Sequence, residues 1–220
     1  MSDTHDQSAQ SVGTCGSGEL FRLGSYRFKL ANQPEETEQI HRLLYRTFVL
    51  EIGQYPDSGT GYHTDKFHHK NVYLVAMQDG MVKGMLAVHD QPPFSAADAL
   101  ACKEVLERLC PKLLEVRLLA VEREDRGRQV LAGFMWALHQ YTADKGYQYL
   151  AISGLVERQT MYLRAGFRPL GPPVRRGQAY FVPMLLDLAQ LPKRVLRDLD
   201  ALRRRIRNGR TGALPLGEYE

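Results

Sequence analysis

The sequence has no long apolar run. No stretch of its 220 residues stays apolar over the roughly 20 residues that a membrane-spanning helix needs. The N-terminal residues are polar and contain no apolar core of the kind that secretory signal peptides have. We therefore expect neither export nor a membrane anchor, and a cytoplasmic location.

Cysteine is scarce. The three cysteines, Cys15, Cys102 and Cys110, form no Cys-x-x-Cys pair. An odd and widely spaced set predicts neither a disulfide framework nor a zinc knuckle, and it fits a reducing compartment.

Histidine is concentrated in one segment, residues 53–71, which is also rich in glycine and tyrosine. His63, His68 and His69 lie there with Asp65. Their spacing and number match none of the usual zinc ligand sets, so we predict no metal site. Irregular loops of this length are often functional, and we expect this one to line a substrate pocket.

The composition is that of an ordinary globular protein. Hydrophobic residues make up 44% and charged residues 25% of the chain, and the formal net charge is +4. These values predict one domain with tails. The expected divisions are a disordered tail over 1–20, a folded domain over 21–190, and a basic amphipathic helix with its tail over 191–220.

The C-terminal helix, expected over 193–210, has two unlike faces. The apolar face has helical spacing and consists of Val195, Leu196, Leu199, Leu202 and Ile206. The basic face consists of Lys193, Arg194, Arg197, Arg203, Arg204, Arg205 and Arg207. No aromatic side chains are interleaved that could stack on bases, so a nucleic-acid partner is not expected. A basic face of this kind suits an acidic protein partner, although it could equally pack on its own domain.

A strand, a helix and a second strand follow one another between residues 116 and 153. A short apolar strand over 116–121 leads into a charged turn, and a helix over 129–145 ends at Gly146. The second strand covers 147–153. Two strands joined by a crossover helix run parallel, so this is a βαβ unit.

The turn before that helix is a candidate anion site. Free backbone N–H groups and the positive end of the helix dipole meet there. Arg126 and Arg128 add positive charge, although two solvated surface arginines would give the same pattern.

The other patterns complete a sheet with helices. An alternating strand is predicted over 26–31, and a hairpin over 72–77 and 81–89 turns at Asp79-Gly80. Helices are predicted from Pro34 onward and over 96–109. A last strand covers 178–188, where Pro183 favours an edge or a bulge.

Two motifs resemble those of the GNAT acyltransferase superfamily. The first reads Val121-x-x-x-x-Arg126-Gly127-Arg128 and is similar to the phosphate-binding turn of that family. The second reads Met161-Tyr162-Leu-Arg-Ala-Gly166-Phe167 and is similar to its aromatic signature. Gln129 and Leu131 stand where the family has glycines, which implies a looser seat for a diphosphate.

The resemblance implies a single-domain α/β (α+β) fold. Its sheet would be mixed and mostly antiparallel, with one parallel βαβ pair splayed at the donor site and helices on both faces. It implies that 21–190 is an acyltransferase domain and that the donor is an acyl-phosphopantetheine thioester on acyl carrier protein or CoA. The implied donor-binding residues are Leu119, Ala120, Val121, Arg126, Gly127, Arg128, Gln129, Val130 and Ser153.

A finer resemblance is to the branch with the acyl-homoserine lactone synthases and the long-chain N-acyl amino acid synthases. The segments that resemble this branch are Leu44 to Tyr55, Asp65-Lys-Phe67 and Glu115. The implied substrate-binding residues are Arg46, Phe48, Glu51, Asp65 and Phe67, with Asp65 or Glu51 pairing with an amine. Arg117 stands one residue closer to Glu115 than the lactone synthases have it, which favours acylation of an amine over a lactone product.

Acyl transfer to an amine needs a base for the amine and a proton for the leaving thiolate. Glu115 is the candidate base. Tyr162 matches the tyrosine of the family that protonates the sulfur. The alternatives are that Glu115 only pairs with Arg117 at the strand edge and that Tyr162 is a core residue.

These patterns predict an N-acyltransferase that moves a medium or long acyl group to an amine such as an amino acid. Acyl carrier protein is favoured over CoA because the cradle glycines are missing and the C-terminal helix is basic. Two alternatives stay open at this point. One is an acetyl-CoA-dependent acetyltransferase for small molecules, and the other is a non-catalytic acyl-binding or nucleic-acid-binding protein.

Overall fold

The computed structural model describes residues 18–208, which contain one nine-stranded sheet. The strands are β1 (Glu19–Leu23), β2 (Tyr26–Leu30), β3 (Val72–Gln78), β4 (Met81–His89), β5 (Leu113–Val121), β6 (Tyr149–Leu155), β7 (Arg168–Pro169), β8 (Val174–Arg176) and β9 (Ala179–Asp187). The expected tails, except for residues 18–20 of the first, lie outside the described residues.

Five α-helices accompany the sheet in these residues. They are α1 (Pro34–Leu44), α2 (Glu104–Glu107), α3 (Arg128–Lys145), α4 (Gln159–Ala165) and α5 (Lys193–Arg207). A π-helical turn extends α1 over Tyr45–Glu51, and 3-10 turns cover Ala96–Ala99, Arg123–Asp125, Val156–Arg158 and Leu188–Gln190. None of the helices in 18–208 is both long enough and apolar enough to cross a membrane.

The strand order is β1-β2-β3-β4-β5-β6-β9-β7, with β8 pairing on β9. The β5–β6 pair is parallel, and the pairs on either side of it are antiparallel. One face of the sheet packs against α1, and the other packs against α3 and α5. The predicted fold class is therefore confirmed.

The core on the α3 face includes both the crossover helix and the C-terminal helix. Phe134 of α3 meets Phe28 of β2 edge to face at 5.5 Å. The apolar residues of α5 that join this core are Val195, Leu199 and Leu202. Leu196, which was expected on the same stripe, is 46% exposed and lies on the outside of the helix.

Hydrogen bonds at the N-terminus of α1 hold this helix against its face of the sheet. The Glu36 carboxylate accepts hydrogen bonds from the backbone N–H groups of Asn32 and Gln33, at 3.0 and 3.3 Å, and from the buried Lys29 ammonium at 2.6 Å. These bonds orient the helix so that Ile40 and Leu44 are fully buried against the sheet.

β5 and β6 separate part-way along their length. Their pairing ends at Val116 and Ile152, although β5 continues to Val121 and β6 continues to Leu155. The register between β4 and β5 shifts after Arg117, and Leu118 has a positive φ of 52°. Such a bulge bends its strand. The bend leaves a wedge-shaped opening between β5 and β6, as expected for a splayed pair.

The structure differs from the predictions in two regions. β1 was not predicted, and it begins inside the segment that was expected to be a tail. The helix over 96–109 is replaced by a 3-10 turn and the short α2. The helix is interrupted at Leu100, whose backbone is extended, with φ −99° and ψ 143°. Leu100 lies between the 3-10 turn over Ala96–Ala99 and the fully buried Leu106.

Pro183 lies in β9, opposite Ser153 of β6. On the other side of β9, pairing with β8 ends at Phe181, and pairing with β7 begins at Met184. Pro183 has no N–H to donate, and it lies in the gap between the β8 and β7 pairings, where no such hydrogen bond to either strand is needed.

Candidate active site

An apolar cavity of about 220 Å³ begins at the opening between β5 and β6 and continues beneath α3. Its walls at the opening are Arg117, Leu118, Leu119, Ser153, Gly154 and Tyr162. Its walls beneath α3 include Leu131, Phe134, Met135 and Leu138, and its far end includes Leu188, Leu191, Val195 and Leu199. An apolar space of this kind suits a hydrocarbon chain, because apolar groups gain free energy when they leave water.

Tyr162 of α4 packs against β6 at the opening. A Cβ atom on Gly154 would lie 2.6 Å from the Tyr162 ring, so the glycine is needed for this close approach. Burial raises the pKa of Tyr162, while a hydrogen bond with the backbone of Leu155 and the charge of Arg158 act in the opposite direction. Tyr162 therefore stays protonated at neutral pH and can donate its proton.

Glu115 faces the opposite side of the sheet from the α3 core, which contains Leu114. Its side chain is fully buried and does not line the cavity. Oε1 accepts hydrogen bonds from Ser95 Oγ at 2.9 Å and from the Ala96 N–H at 2.7 Å. Oε2 accepts one from the Ser95 N–H at 2.9 Å, and His89 Nε2 lies 2.8 Å from it.

The Glu115 carboxylate is held in its charged form. Burial alone would raise its pKa, but the contact with His89, the charges of Arg117 and His89, and the Ser95 N–H together lower it. A carboxylate with these donors is a weak base. Any proton that it takes from a substrate would have to pass through a neighbour such as the Ser95 hydroxyl.

Arg117 links Glu115 to the loop over 53–71. Its guanidinium donates to both carboxylate oxygens of the buried Asp65, at 2.7 and 3.2 Å, and stacks 4.6 Å above the Phe67 ring. Its Nε donates to Ser95 Oγ at 3.1 Å. Arg117 also lines the cavity, so it joins this polar network to the apolar space.

Both carboxylate oxygens of Asp65 are bonded within this network. Asp65 also accepts hydrogen bonds from the Phe67 N–H and the Asn71 amide, at 3.1 and 2.9 Å. Burial would raise its pKa, but the charge of Arg117 and these hydrogen bonds hold the pKa below the ordinary value. Asp65, Phe67 and Glu115 therefore all contact the side chain of Arg117.

The other predicted acceptor residues lie elsewhere. Phe48 is buried in the core beneath α1. Arg46 pairs with Glu122, and Glu51 pairs with Arg126 in the turn before α3. Arg46 and Glu51 therefore contact the predicted donor side of the site, and neither contacts Asp65.

The predicted anion site is the N-terminal turn of α3. Gly127 precedes the helix, and its first turn has no acidic residue and no side-chain cap. Arg126 donates to the Val121 carbonyl at 3.0 Å, and its guanidinium holds both oxygens of Glu51. These contacts place one arginine beside uncapped N–H groups.

The remaining predicted donor residues have different surroundings. Val130 and Ala120 are buried in the two cores, and Val121 is partly buried. The Gln129 amide donates to the Leu23 carbonyl at 3.0 Å, so this side chain reaches toward β1. Leu119 and Ser153 line the cavity.

The histidines of the 53–71 loop form hydrogen-bonded and stacked contacts. His68 Nδ1 lies 3.3 Å from His41 Nε2 and 2.9 Å from the Tyr73 hydroxyl, and His63 stacks on Tyr55 at 4.3 Å. Burial, followed by the charges of the neighbouring histidines, lowers the pKa of His41 to about 4. No group of three or more His, Cys, Asp or Glu side chains in 18–208 is arranged to hold a metal ion.

Several residues of the network were not predicted as site residues. Arg117 was noted for its spacing and as a possible partner of Glu115, but not as a site residue, although alternation along a strand places it on the same face as Glu115. Ser95 and His89 carry no motif that could have identified them. The apolar stripe of α5 was recognised, but its contribution to the cavity was not.

Most of these residues lie in a segment that matches a known protein family. Residues 39–187 match the model of the family described as N-acyl amino acid synthase FeeM. The chain belongs to the FeeM N-acyl amino acid synthase family. It is therefore an acyltransferase, which confirms the resemblance and removes the non-catalytic alternative.

Solved structures with the same fold include members of the resembled branch. The acyl-homoserine lactone synthase LasI is 17% identical, with a TM-score of 0.61 over 86% of this chain and 98% of LasI. FeeM, an N-acyl amino acid synthase from uncultured soil microbes, is 16% identical, with a TM-score of 0.63 over 78% of this chain and 95% of FeeM. BjaI, a CoA-dependent acyl-homoserine lactone synthase, is 22% identical, with a TM-score of 0.58 over 82% of this chain and 85% of BjaI. No curated protein matches the sequence.

Proposed function

We propose that this enzyme transfers a medium or long acyl group from a phosphopantetheine thioester to the amine of an amino acid or a related compound. The observation that carries the proposal is the apolar cavity that begins between β5 and β6. An acetyl group would need almost none of this space, whereas a longer acyl chain would fill it. Membership of an N-acyl amino acid synthase family supports the amine as acceptor.

The pantetheine arm would enter between the separated strands. Within residues 18–208, β5 has no paired strand on its β6 side after Val116, so an extended arm can add to its backbone as a further strand. Beyond the arm, a phosphate would reach the uncapped N–H groups at the start of α3, with Arg126 and Arg128 beside it.

Acyl carrier protein is the carrier that we favour. Gln129 stands where a glycine would let the backbone approach a diphosphate closely, which weakens the case for CoA. The outer face of α5 carries exposed arginines, among them Arg197, Arg203 and Arg204, which suit an acidic carrier protein. The CoA dependence of BjaI makes CoA the alternative carrier.

The acceptor would bind on the polar side of the opening. Arg117 and Arg176 both contact Ser95 there, Arg176 through the Ser95 carbonyl at 2.9 Å, and they provide positive charge for a carboxylate. His63 Nε2 and Ser153 Oγ are buried without a hydrogen-bond partner among the residues that the structure describes. Buried polar atoms of this kind can bind the polar groups of an acceptor.

In this scheme the acceptor enters as an ammonium, which loses one proton toward Glu115 through the Ser95 hydroxyl. The neutral amine nitrogen then attacks the thioester carbonyl carbon, a C–N bond forms, and the carbonyl oxygen becomes an oxyanion. The nitrogen loses its second proton to solvent, the carbonyl re-forms as the C–S bond breaks, and the sulfur takes the proton of Tyr162. Tyr162 regains a proton from solvent, and Glu115 releases its proton to solvent. A tyrosine suits this step because its ordinary pKa of about 10 is close to that of an alkyl thiol, and burial, which raises the pKa of Tyr162, keeps the hydroxyl protonated until the sulfur leaves.

The test is the release of free thiol by the purified enzyme, with acyl-CoA and acyl carrier protein donors of two to sixteen carbons. Each donor is offered with each common amino acid, and mass spectrometry identifies the amide product. We expect turnover with medium or long chains. Turnover of acetyl-CoA alone would show a small-molecule acetyltransferase instead, and an inert enzyme across the whole matrix would reject the proposal.

A further inference from the structure

The far end of the cavity is formed by residues beyond the family segment. The match to the family model ends at Asp187, and α5 begins at Lys193. Nevertheless, Val195 and Leu199 of α5 line the same cavity that begins between β5 and β6. We propose that α5 sets the maximum length of the acyl chain, with Val195 and Leu199 as the end wall. This inference rests on the proposed function.

The positions of the lining residues give the course of the cavity. Gly154 lines it at the opening, and Leu150 lines it on the same strand four residues earlier. At the usual rise per residue these positions are roughly 13 Å apart. Leu150 pairs with Leu186 of β9, and the chain then passes through Leu188 and Leu191 into α5. The cavity therefore extends from the reacting end toward α5.

The side walls are held more rigidly than the end wall. A Cβ atom on Gly133 would lie 1.9 Å from the Phe28 ring, and one on Gly84 would lie 3.0 Å from Phe134. These contacts fix α3 against the sheet at a set distance. α5 packs on α3 and β1 with a single apolar stripe, so the side chains of that stripe can change without moving α3.

The volume of the cavity indicates a medium chain. An apolar cavity of about 150 Å³ in another protein admits benzene, so simple proportion gives room for roughly eight to nine carbons here. A longer chain would meet Val195 and Leu199, which are 4% and 6% exposed and have packed neighbours behind them. Overfilling a packed interior is unfavourable, so chain length should be limited at this point.

The test is the chain-length profile of thiol release for donors of four to sixteen carbons. The variants Val195→Ala and Leu199→Ala should shift the optimum by about two carbons toward longer chains, and Leu199→Phe should shift it toward shorter ones. A single methylene in an apolar pocket changes discrimination by about tenfold or more, so the ratio of rates for long and short donors should change at least that much. Leu196→Ala, on the exposed side of the same helix, is the matched control and should leave the profile unchanged.

Melting temperatures show whether each variant is folded. If the folded alanine variants keep the wild-type profile, the inference is overturned, while activity of the wild type would leave the proposed function intact. Calorimetric binding of acyl-pantetheines of increasing length does not depend on turnover. If the enzyme is inert, the longest acyl-pantetheine that binds is compared between the wild type and Leu199→Ala. The same maximum length in both proteins also overturns the inference, and a greater maximum length in the variant supports it.

Discussion

The guanidinium of Arg117 and the carboxylate of Asp65 meet through two hydrogen bonds, at 2.7 and 3.2 Å, across 52 positions of sequence. Both side chains are buried, with 6% and 0% of their surface exposed. The pair fastens the loop over 53–71 to β5 beside the opening of the cavity. The side of the site proposed to bind the acceptor is therefore held together by contacts within the protein itself.

The first prediction concerns the stability that depends on this pair. Asp65→Asn leaves the charge of Arg117 buried without its main partner, so the free energy of unfolding should fall by about 3 kcal/mol. Urea denaturation monitored by circular dichroism gives this value. Asp98→Asn is the control, because Asp98 pairs with Lys66 at the surface, 3.4 Å away. Its effect should stay below about 1 kcal/mol. Equal losses in the two variants would contradict the role assigned to Asp65.

The second prediction is a loss of stability between about pH 6.5 and pH 4. An unfolded histidine takes up its proton near pH 6.5, whereas the pKa of folded His41 is lowered to about 4. The unfolded chain therefore binds more protons in this window, and the free energy of unfolding falls as the pH falls. The shift corresponds to about 3 kcal/mol at most. The lowered pKa values of Asp65 and Glu115 act mainly below about pH 5, where carboxyl groups of the unfolded chain begin to take up protons.

Urea denaturation of the wild type and His41→Gln from pH 4.5 to pH 7.5 tests this prediction. The variant should lose part of the slope between pH 5 and pH 6.5, while His63 and His139, whose pKa values burial also lowers, keep their contributions. His69→Gln, at an exposed position of the nearby loop, should keep the wild-type slope. A slope that is unchanged in His41→Gln would show that another group is responsible.

The third prediction concerns the proton for the leaving sulfur. Tyr162→Phe should lower kcat by about 100-fold, because a positioned acid contributes about that factor or more, and should change KM for the donor little. Tyr180→Phe is the control, since Tyr180 is 48% exposed on β9. Steady-state kinetics of thiol release measure both constants. An unchanged kcat in Tyr162→Phe would remove Tyr162 from the chemical step.

A second variant separates the hydroxyl group of Tyr162 from the position of its ring. Gly154→Ala introduces a methyl group 2.6 Å from that ring and should displace it. Activity should fall in the wild-type background but much less in Tyr162→Phe, because residues in contact have non-additive effects. Additive losses would indicate that Gly154 acts independently of Tyr162.

The fourth prediction concerns the carrier of the donor. Replacing the exposed Arg197, Arg203 and Arg204 of α5 by glutamate should lower kcat/KM for acyl carrier protein donors by about tenfold at low salt. The same variant should use acyl-CoA as well as the wild type does. Raising the ionic strength should reduce the difference with acyl carrier protein, because salt screens exposed charges. Equal losses with both donors would count against a docking role for α5.

Local sequence patterns were sufficient for most of the fold. The hairpin at Asp79-Gly80, the crossover helix that ends at Gly146 and the parallel strands follow from spacing over a few residues. The helix expected over 96–109 failed because long-range contacts decide that segment. The backbone of Ser95 and Ala96 is tied to Glu115 on β5, and no local pattern records this contact.

The candidate site was predictable only where a motif was continuous in the chain. Tyr162 lies in such a motif, Leu119 lies in the strand that leads into the other motif, and both line the cavity. Arg117 was considered as the partner of Glu115, but the partners of Asp65 and Glu51 were not predicted, because a buried carboxylate can pair with an arginine from any distant strand. Asp65 and Glu51 looked equivalent in the sequence, yet Asp65 pairs with Arg117 of β5 and Glu51 pairs with Arg126 in the turn before α3.

Because of the bulge at Leu118, the opening between β5 and β6 depends on the number of residues in β5 as well as on their identity. Arg117 and Ala120 are three positions apart, yet they pair with Ala87 and Met85, which face the same side of β4. Removing one leucine would restore the strict alternation of side chains along β5. The parallel strands β5 and β6 could then pair along their full length and close the opening of the cavity. Natural variants of this enzyme should therefore avoid insertions and deletions in the strand.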